Sequence, residues 1–69
     1  MSKLDLHGVR HADVDRIVEN FILLNQNKLP LAIICGNSDR MVSLVLKVAR
    51  RLHCETAQPR FGYIIVRRL

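Results

Sequence analysis

Gly62-Tyr63-Ile64-Ile65-Val66-Arg67 is the stretch on which the architecture turns. Its β-branched residues favour an extended strand. Ile64, Ile65 and Val66 make that strand apolar on both faces, a pattern that belongs inside a sheet, away from its edge. Residues 62 to 67 therefore need a neighbour on each side. One lies just upstream. Cys54-Glu55-Thr56-Ala57-Gln58 reads as a weaker strand and Pro59-Arg60-Phe61-Gly62 as turn residues, so the two strands should form an antiparallel hairpin. A further strand is read at Leu31-Ala32-Ile33-Ile34-Cys35, a short apolar run bounded by Pro30 and Gly36. It reads as a strand buried on both faces, as in a parallel arrangement.

Between these strands, Gly36-Asn37-Ser38-Asp39 turns the chain into a helix expected over about residues 39 to 53. Met41, Val42, Leu44, Val45, Leu46, Val48, Ala49 and Leu52 spread over about 200° of its circumference. Arg40, Ser43, Lys47, Arg50 and Arg51 occupy the rest, with no carboxylate among them. Further upstream, Val14, Ile17, Val18, Phe21 and Leu24 form the stripe of an amphipathic helix over about residues 11 to 26. Asp13 and Asp15 are expected in its first turn, where carboxylates suit the helix dipole. The chain opens on Leu4-Asp5-Leu6-His7-Gly8, in which leucines alternate with polar residues as in a strand buried on one face. The element order is βαβαββ: a two-layer α/β domain with two helices and a four-stranded mixed sheet.

Length and composition agree with one small domain. The chain has 69 residues, of which 49% are hydrophobic, enough for a single aliphatic core. Cys35 and Cys54 are too few for a disulfide scaffold and lack zinc-ligand spacing; a single bridge and two buried thiols both fit them. No apolar run reaches the roughly 20 residues of a membrane span. With no secretory signal at its start, the chain is expected to be soluble, cytoplasmic and free of the membrane. The net charge is +5 and uneven. Residues 1–38 balance Lys3, Arg10, Arg16 and Lys28 against Asp5, Asp13, Asp15 and Glu19. Residues 39–69 set seven basic residues against Asp39 and Glu55 alone. That imbalance, with Arg40, Lys47, Arg50 and Arg51 on one helix face, points to a polyanionic partner, most often nucleic acid.

The chemistry gathers at two places. Asp5 and His7 share the polar side of the first strand, about 7 Å apart along it, and make a candidate acid–base pair. Histidine changes charge near neutral pH and serves as base or acid. Asp5 either orients it or holds a divalent ion such as Mg²⁺. Gly8 lets the chain turn or approach a ligand closely. The second place is the Gly36-Asn37-Ser38 turn, whose backbone N–H groups at a helix start suit phosphate. Ser38 or Asp39 as an ordinary N-cap explains the same residues. In a parallel pair of strands both sites emerge at one sheet edge, with Arg40 beside them. Arg40 or Lys47 would then stabilise the phosphate charge.

Leu4-Asp5-Leu6-His7-Gly8 resembles the signature opening of the Smr (small MutS-related) domain family, and the likeness runs through the helices and the final Gly62-Tyr63-Ile64-Ile65-Val66 strand. The resemblance implies a fold similar to the C-terminal domain of translation initiation factor three, with strand order 1-2-4-3. It also implies endonucleolytic cleavage or nicking of RNA or DNA. On that basis Asp5 and His7 are the expected catalytic residues. Gly8, Arg10, Gly36, Asn37, Ser38, Arg40, Lys47, Arg50 and Arg51 are the expected nucleic-acid contacts. The chain departs from the family at its second motif, H-G-x-G-T-G, where Cys35-Gly36-Asn37-Ser38-Asp39-Arg40 keeps only the first glycine. Besides a small nuclease, a catalytically silent RNA- or DNA-binding domain is consistent with that departure. A homodimerising interaction module is consistent with the broad apolar arc of the second helix.

Overall fold

In the computed structural model, which describes residues 1–69, the elements follow the expected order. They are β1 (Ser2–Asp5), α1 (His11–Leu24), β2 (Leu31–Ile34), α2 (Asp39–Arg51), β3 (Glu55–Arg60) and β4 (Tyr63–Arg68), with a 3₁₀ turn at Gln26–Lys28. One mixed sheet has the order β1-β2-β4-β3: β1 and β2 are parallel, and β4 runs antiparallel to both β2 and β3. The doubly apolar strand β4 is interior, as its residues require.

The register explains which side chains meet. Leu4 pairs with Ile33 and Ile33 with Ile64, while Leu31 pairs with Val66. Paired residues share a face. Leu31, Ile33, Ile64 and Val66 join Leu6, which follows β1, with Val14, Val18 and Ile22 from α1 and Met41, Val42, Val45 and Val48 from α2 in one buried cluster. Leu4 packs against the cluster half-buried. Both helices therefore cover the same side of the sheet. Ile22, Leu31, Ile33 and Ile64 are completely buried, each contributing about 1.5–3 kcal/mol of hydrophobic free energy. The apolar arc of α2, which suggested a dimer interface, is consumed inside the protomer. Its Met41, Val42, Val45, Val48 and Ala49 are buried, and Leu44 and Leu46 pack against the core.

Both helices stop earlier than periodicity suggests. The Asn25 side-chain amide donates to the Phe21 carbonyl at 2.7 Å, and its backbone N–H to Ile22. These bonds close α1 at Leu24, the kind of local competition that asparagine offers a helix. At its start, Asp13 alone lies in the first turn of α1. α2 begins at the Ser38 N-cap, whose hydroxyl accepts the Met41 N–H at 3.1 Å. It ends where His53 adopts a left-handed φ of 59°. There the His53 N–H bonds the Arg50 carbonyl and the Cys54 N–H bonds that of Ala49, a Schellman closure. The hairpin is tighter than expected: β3 continues to Arg60, and the turn is Phe61-Gly62. Pro59 is tolerated because β3 is an edge strand with a register shift between Ala57 and Arg60. Cys35 and Cys54 are both free thiols.

Candidate functional site

The face of the sheet turned away from the helices carries a row that crosses all four strands. Asp5 pairs with Ile34, Ile34 with Tyr63 and Tyr63 with Arg60. The row lies where β1 and β2 end and β4 begins. Because β4 is antiparallel to β2, the β3–β4 turn is brought back to this edge. An open cleft of about 380 Å³ results. Ile34 and Tyr63 come from its strands, His7, Gly36 and Asn37 from the β1 and β2 ends, and Arg60, Phe61 and Gly62 from the hairpin.

Asp5 and His7 do form a pair, but not as two positions on one strand: β1 ends at Asp5, and His7 stands in the turn that follows, which folds its ring back onto the carboxylate. Oδ1 of Asp5 accepts the His7 backbone N–H at 2.9 Å and lies 2.5 Å from Nδ1 of the ring. Those two bonds hold the Asp5 carboxyl below its ordinary value, the backbone bond having the larger effect. In the tautomer that donates Nδ1–H to Asp5, Nε2 is the free acceptor of the ring. That nitrogen lies beside Gly36: a Cβ there would stand 3.0 Å from Nε2. The turn that presents His7 is closed by the Val9 N–H bonding the Leu6 carbonyl at 3.1 Å, with Gly8 at φ 77°. Nothing lies within 4 Å of where a Gly8 side chain would be, so its role is the turn and not close approach. Both members of the pair are accessible, with side chains 59% exposed for Asp5 and 67% for His7.

The cation of the cleft is Arg60. Its guanidinium sits 4.0 Å over the centre of the Tyr63 ring. The ion pairs of the chain lie elsewhere: Arg10 and Arg16 with Asp13, Arg51 with Asp15 and Glu19, and Arg67 and Arg68 with Glu55. Arg60 thus has no carboxylate partner and lines the same cleft as His7. A lone carboxylate with one oxygen committed to His7 is a poor seat for a divalent ion. No group of three or more His, Cys, Asp or Glu side chains gathers anywhere in the chain to hold one.

Of the expected contact residues, Gly36 and Asn37 line the cleft, whereas Gly8, Arg10, Ser38 and Arg40 do not. Ser38 spends its hydroxyl on the helix cap. Arg40, Lys47 and Arg50 are exposed on the helix layer, separate from the cleft on the opposite face. Arg51 belongs to the fold: its guanidinium donates to both carboxylate oxygens of Asp15 at 2.8 and 2.9 Å and to Glu19 at 2.5 Å, tying α2 to α1. The face that looks uniformly cationic along α2 is therefore neutralised at one end by its neighbour. Cys35, standing where the resembling family carries histidine, is buried, and burial pushes its thiol up to about 11. It is an inert packing residue at neutral pH.

Arg60, Phe61 and Tyr63 were not among the residues expected at the site. Their signal was topological: an interior β4 antiparallel to β2 necessarily returns the β3–β4 turn to the edge where Asp5 and His7 emerge. No helix of the chain is long and apolar enough to cross a membrane. No protein-family model, curated protein or solved structure matches the chain.

Proposed function

We propose that this protein is a small Smr-like nucleic-acid-binding protein that cleaves or nicks phosphodiester bonds in RNA or DNA. The observation that carries the reading is the Asp5–His7 pair opening on a cleft whose one cation, Arg60, has no carboxylate partner. Nε2 of His7 takes the proton from the attacking hydroxyl, the 2′-hydroxyl in RNA or a water molecule in DNA; as its oxygen bonds to phosphorus, the P–O bond to the leaving sugar oxygen breaks, and that oxygen takes a proton from the imidazolium or from water. Asp5 keeps the ring in the tautomer that makes Nε2 the base and stabilises the imidazolium that forms. Arg60 offsets the charge that accumulates on the phosphate. Lys47 and Arg50, on the other layer, add phosphate contacts that raise affinity without entering the reaction.

The test is incubation of labelled single-stranded RNA, structured RNA and duplex DNA with the purified protein, with and without Mg²⁺. Cleavage is expected, and His7→Ala should reduce it by about 10²-fold or more. Binding without cleavage favours the silent nucleic-acid-binding domain, a reading supported by the loss of the later glycines at Ser38 and Arg40.

A further inference from the structure

We infer that the cleft beside His7 is a stacking seat for one unpaired nucleobase, so that the strand it takes is single or locally opened. The inference rests on the nucleic-acid reading above and names the form of that partner. Phe61, at the tip of the hairpin, is 55% exposed; Met1, Leu23, Leu24 and Leu69 are exposed as well, but of these five only Phe61 lines the cleft. It lies at the cleft and outside the hydrophobic core. Next to it the Arg60 guanidinium lies over the Tyr63 ring, leaving the outer side of a planar cation for another flat group. Two planar groups, the Phe61 ring and the Arg60 guanidinium, thus line one opening together with Asn37 and His7. Asn37 offers an amide that both donates and accepts, which matches a base edge.

Nucleic acid presents ring faces only where it is unpaired. A duplex offers phosphates and base edges, whereas unstacked bases settle on aromatic rings and arginine planes. A cleft of about 380 Å³ is at the small end of ligand sites, about 300–1,000 Å³, and suits one planar group held beside the phosphodiester. The net charge of +5 supplies the attraction for the attached backbone. Stacking at Phe61 then selects among polyanions by strandedness.

Fluorescence anisotropy with a labelled single-stranded oligonucleotide, as RNA and as DNA, and with the duplex of the same sequence tests this. Wild type should prefer the single strand. Phe61→Ala should weaken single-strand binding by about fivefold to a hundredfold, the range for one lost base–aromatic stack. It should leave the dependence of affinity on salt unchanged, because no charge is removed. Phe61→Trp should retain the affinity. Arg60→Gln should weaken binding and flatten the salt dependence by about 0.7 of a unit, as loss of one phosphate-directed cation from a single-strand complex does. An unaltered single-strand affinity in Phe61→Ala, with wild type binding normally, overturns the stacking seat and leaves the nucleic-acid reading standing. Wild type that binds none of the oligonucleotides overturns both. Cleavage that survives His7→Ala removes only the catalytic assignment.

Discussion

The carbonyl oxygen of Gly36 occupies the place where a side chain on Gly62 would have to go: a Cβ there would lie 2.2 Å from it. The same two segments are joined by the Cys35 N–H, which donates to the Gly62 carbonyl at 2.7 Å. The β2 end and the hairpin turn therefore touch backbone to backbone, and this contact shapes the cleft. Gly62 also has φ 85°, a conformation that L side chains rarely adopt. Gly62→Ala should destabilise the protein by about 2–4 kcal/mol, combining left-handed strain with overpacking against a backbone that has little room to move. Urea unfolding measures it; a loss below about 1 kcal/mol, close to the scatter of surface substitutions, would mean the two segments separate easily.

His53 is the one non-glycine residue with positive φ. It sits where glycine normally closes a helix. His53→Gly should stabilise the fold by about 0.5–1 kcal/mol, the relief of left-handed strain less the greater entropy glycine loses on folding. A rise in the urea midpoint at constant slope checks it.

Arg51 and the two carboxylates of α1 make a pH-dependent link between the helices. The guanidinium holds the Asp15 carboxyl below its ordinary value of 3.8, mainly through their hydrogen bonds. A lowered carboxyl stabilises the native state above its unfolded-state value and ceases to do so as pH falls through the lowered one. Wild type should therefore be more stable than Arg51→Ala at about pH 5–7, where the linkage has reached its plateau, and the two should converge in stronger acid. Thermal unfolding across pH follows both curves. High salt should narrow the gap, since all three side chains are solvent-exposed.

Salt dependence of oligonucleotide binding separates the cations of α2. Lys47→Ala and Arg50→Ala should each flatten the slope by about 0.7 of a unit on a single strand or 0.9 on a duplex. Arg51→Ala should leave it nearly unchanged, because Asp15 and Glu19 already neutralise that guanidinium. Equal effects at all three positions would show that the nucleic acid displaces the carboxylates.

Asp5→Asn tests the pair without removing its hydrogen-bonding shape. Cleavage should drop by about 10²-fold or more while binding changes little, because the amide cannot hold His7 as a carboxylate does. Quantifying product formation and affinity on the same substrate distinguishes a lost base from a lost contact.

Local pattern was enough for a large part of this molecule. Alternating leucines pointed to β1, which runs Ser2–Asp5 and stops short of Leu6; three- and fourfold spacing set both helices, and the doubly apolar Ile64-Ile65-Val66 put β4 inside the sheet. Each of those signals is carried by residues adjacent in sequence, where backbone geometry alone determines which side chains share a face. The Asp5–His7 pair was legible because its members are two residues apart, but its geometry was not: β1 stops at Asp5, and the turn closed by Val9 and Leu6 brings the ring to the carboxylate. What surrounds that pair was not legible. Arg60, Phe61 and Tyr63 reach it only because β4 returns antiparallel to β2, and their proximity to His7 is a product of strand order. Arg51 looked like part of a free basic face because helix periodicity describes one helix; its partners Asp15 and Glu19 are 36 and 32 residues away on the other. Gly62 read as a turn residue, yet its indispensable feature is the Gly36 carbonyl against it. Short-range periodicity determines the elements and their buried sides. Which charges are neutralised, and which groups border the cleft, depends on contacts that exist only after the two layers have packed.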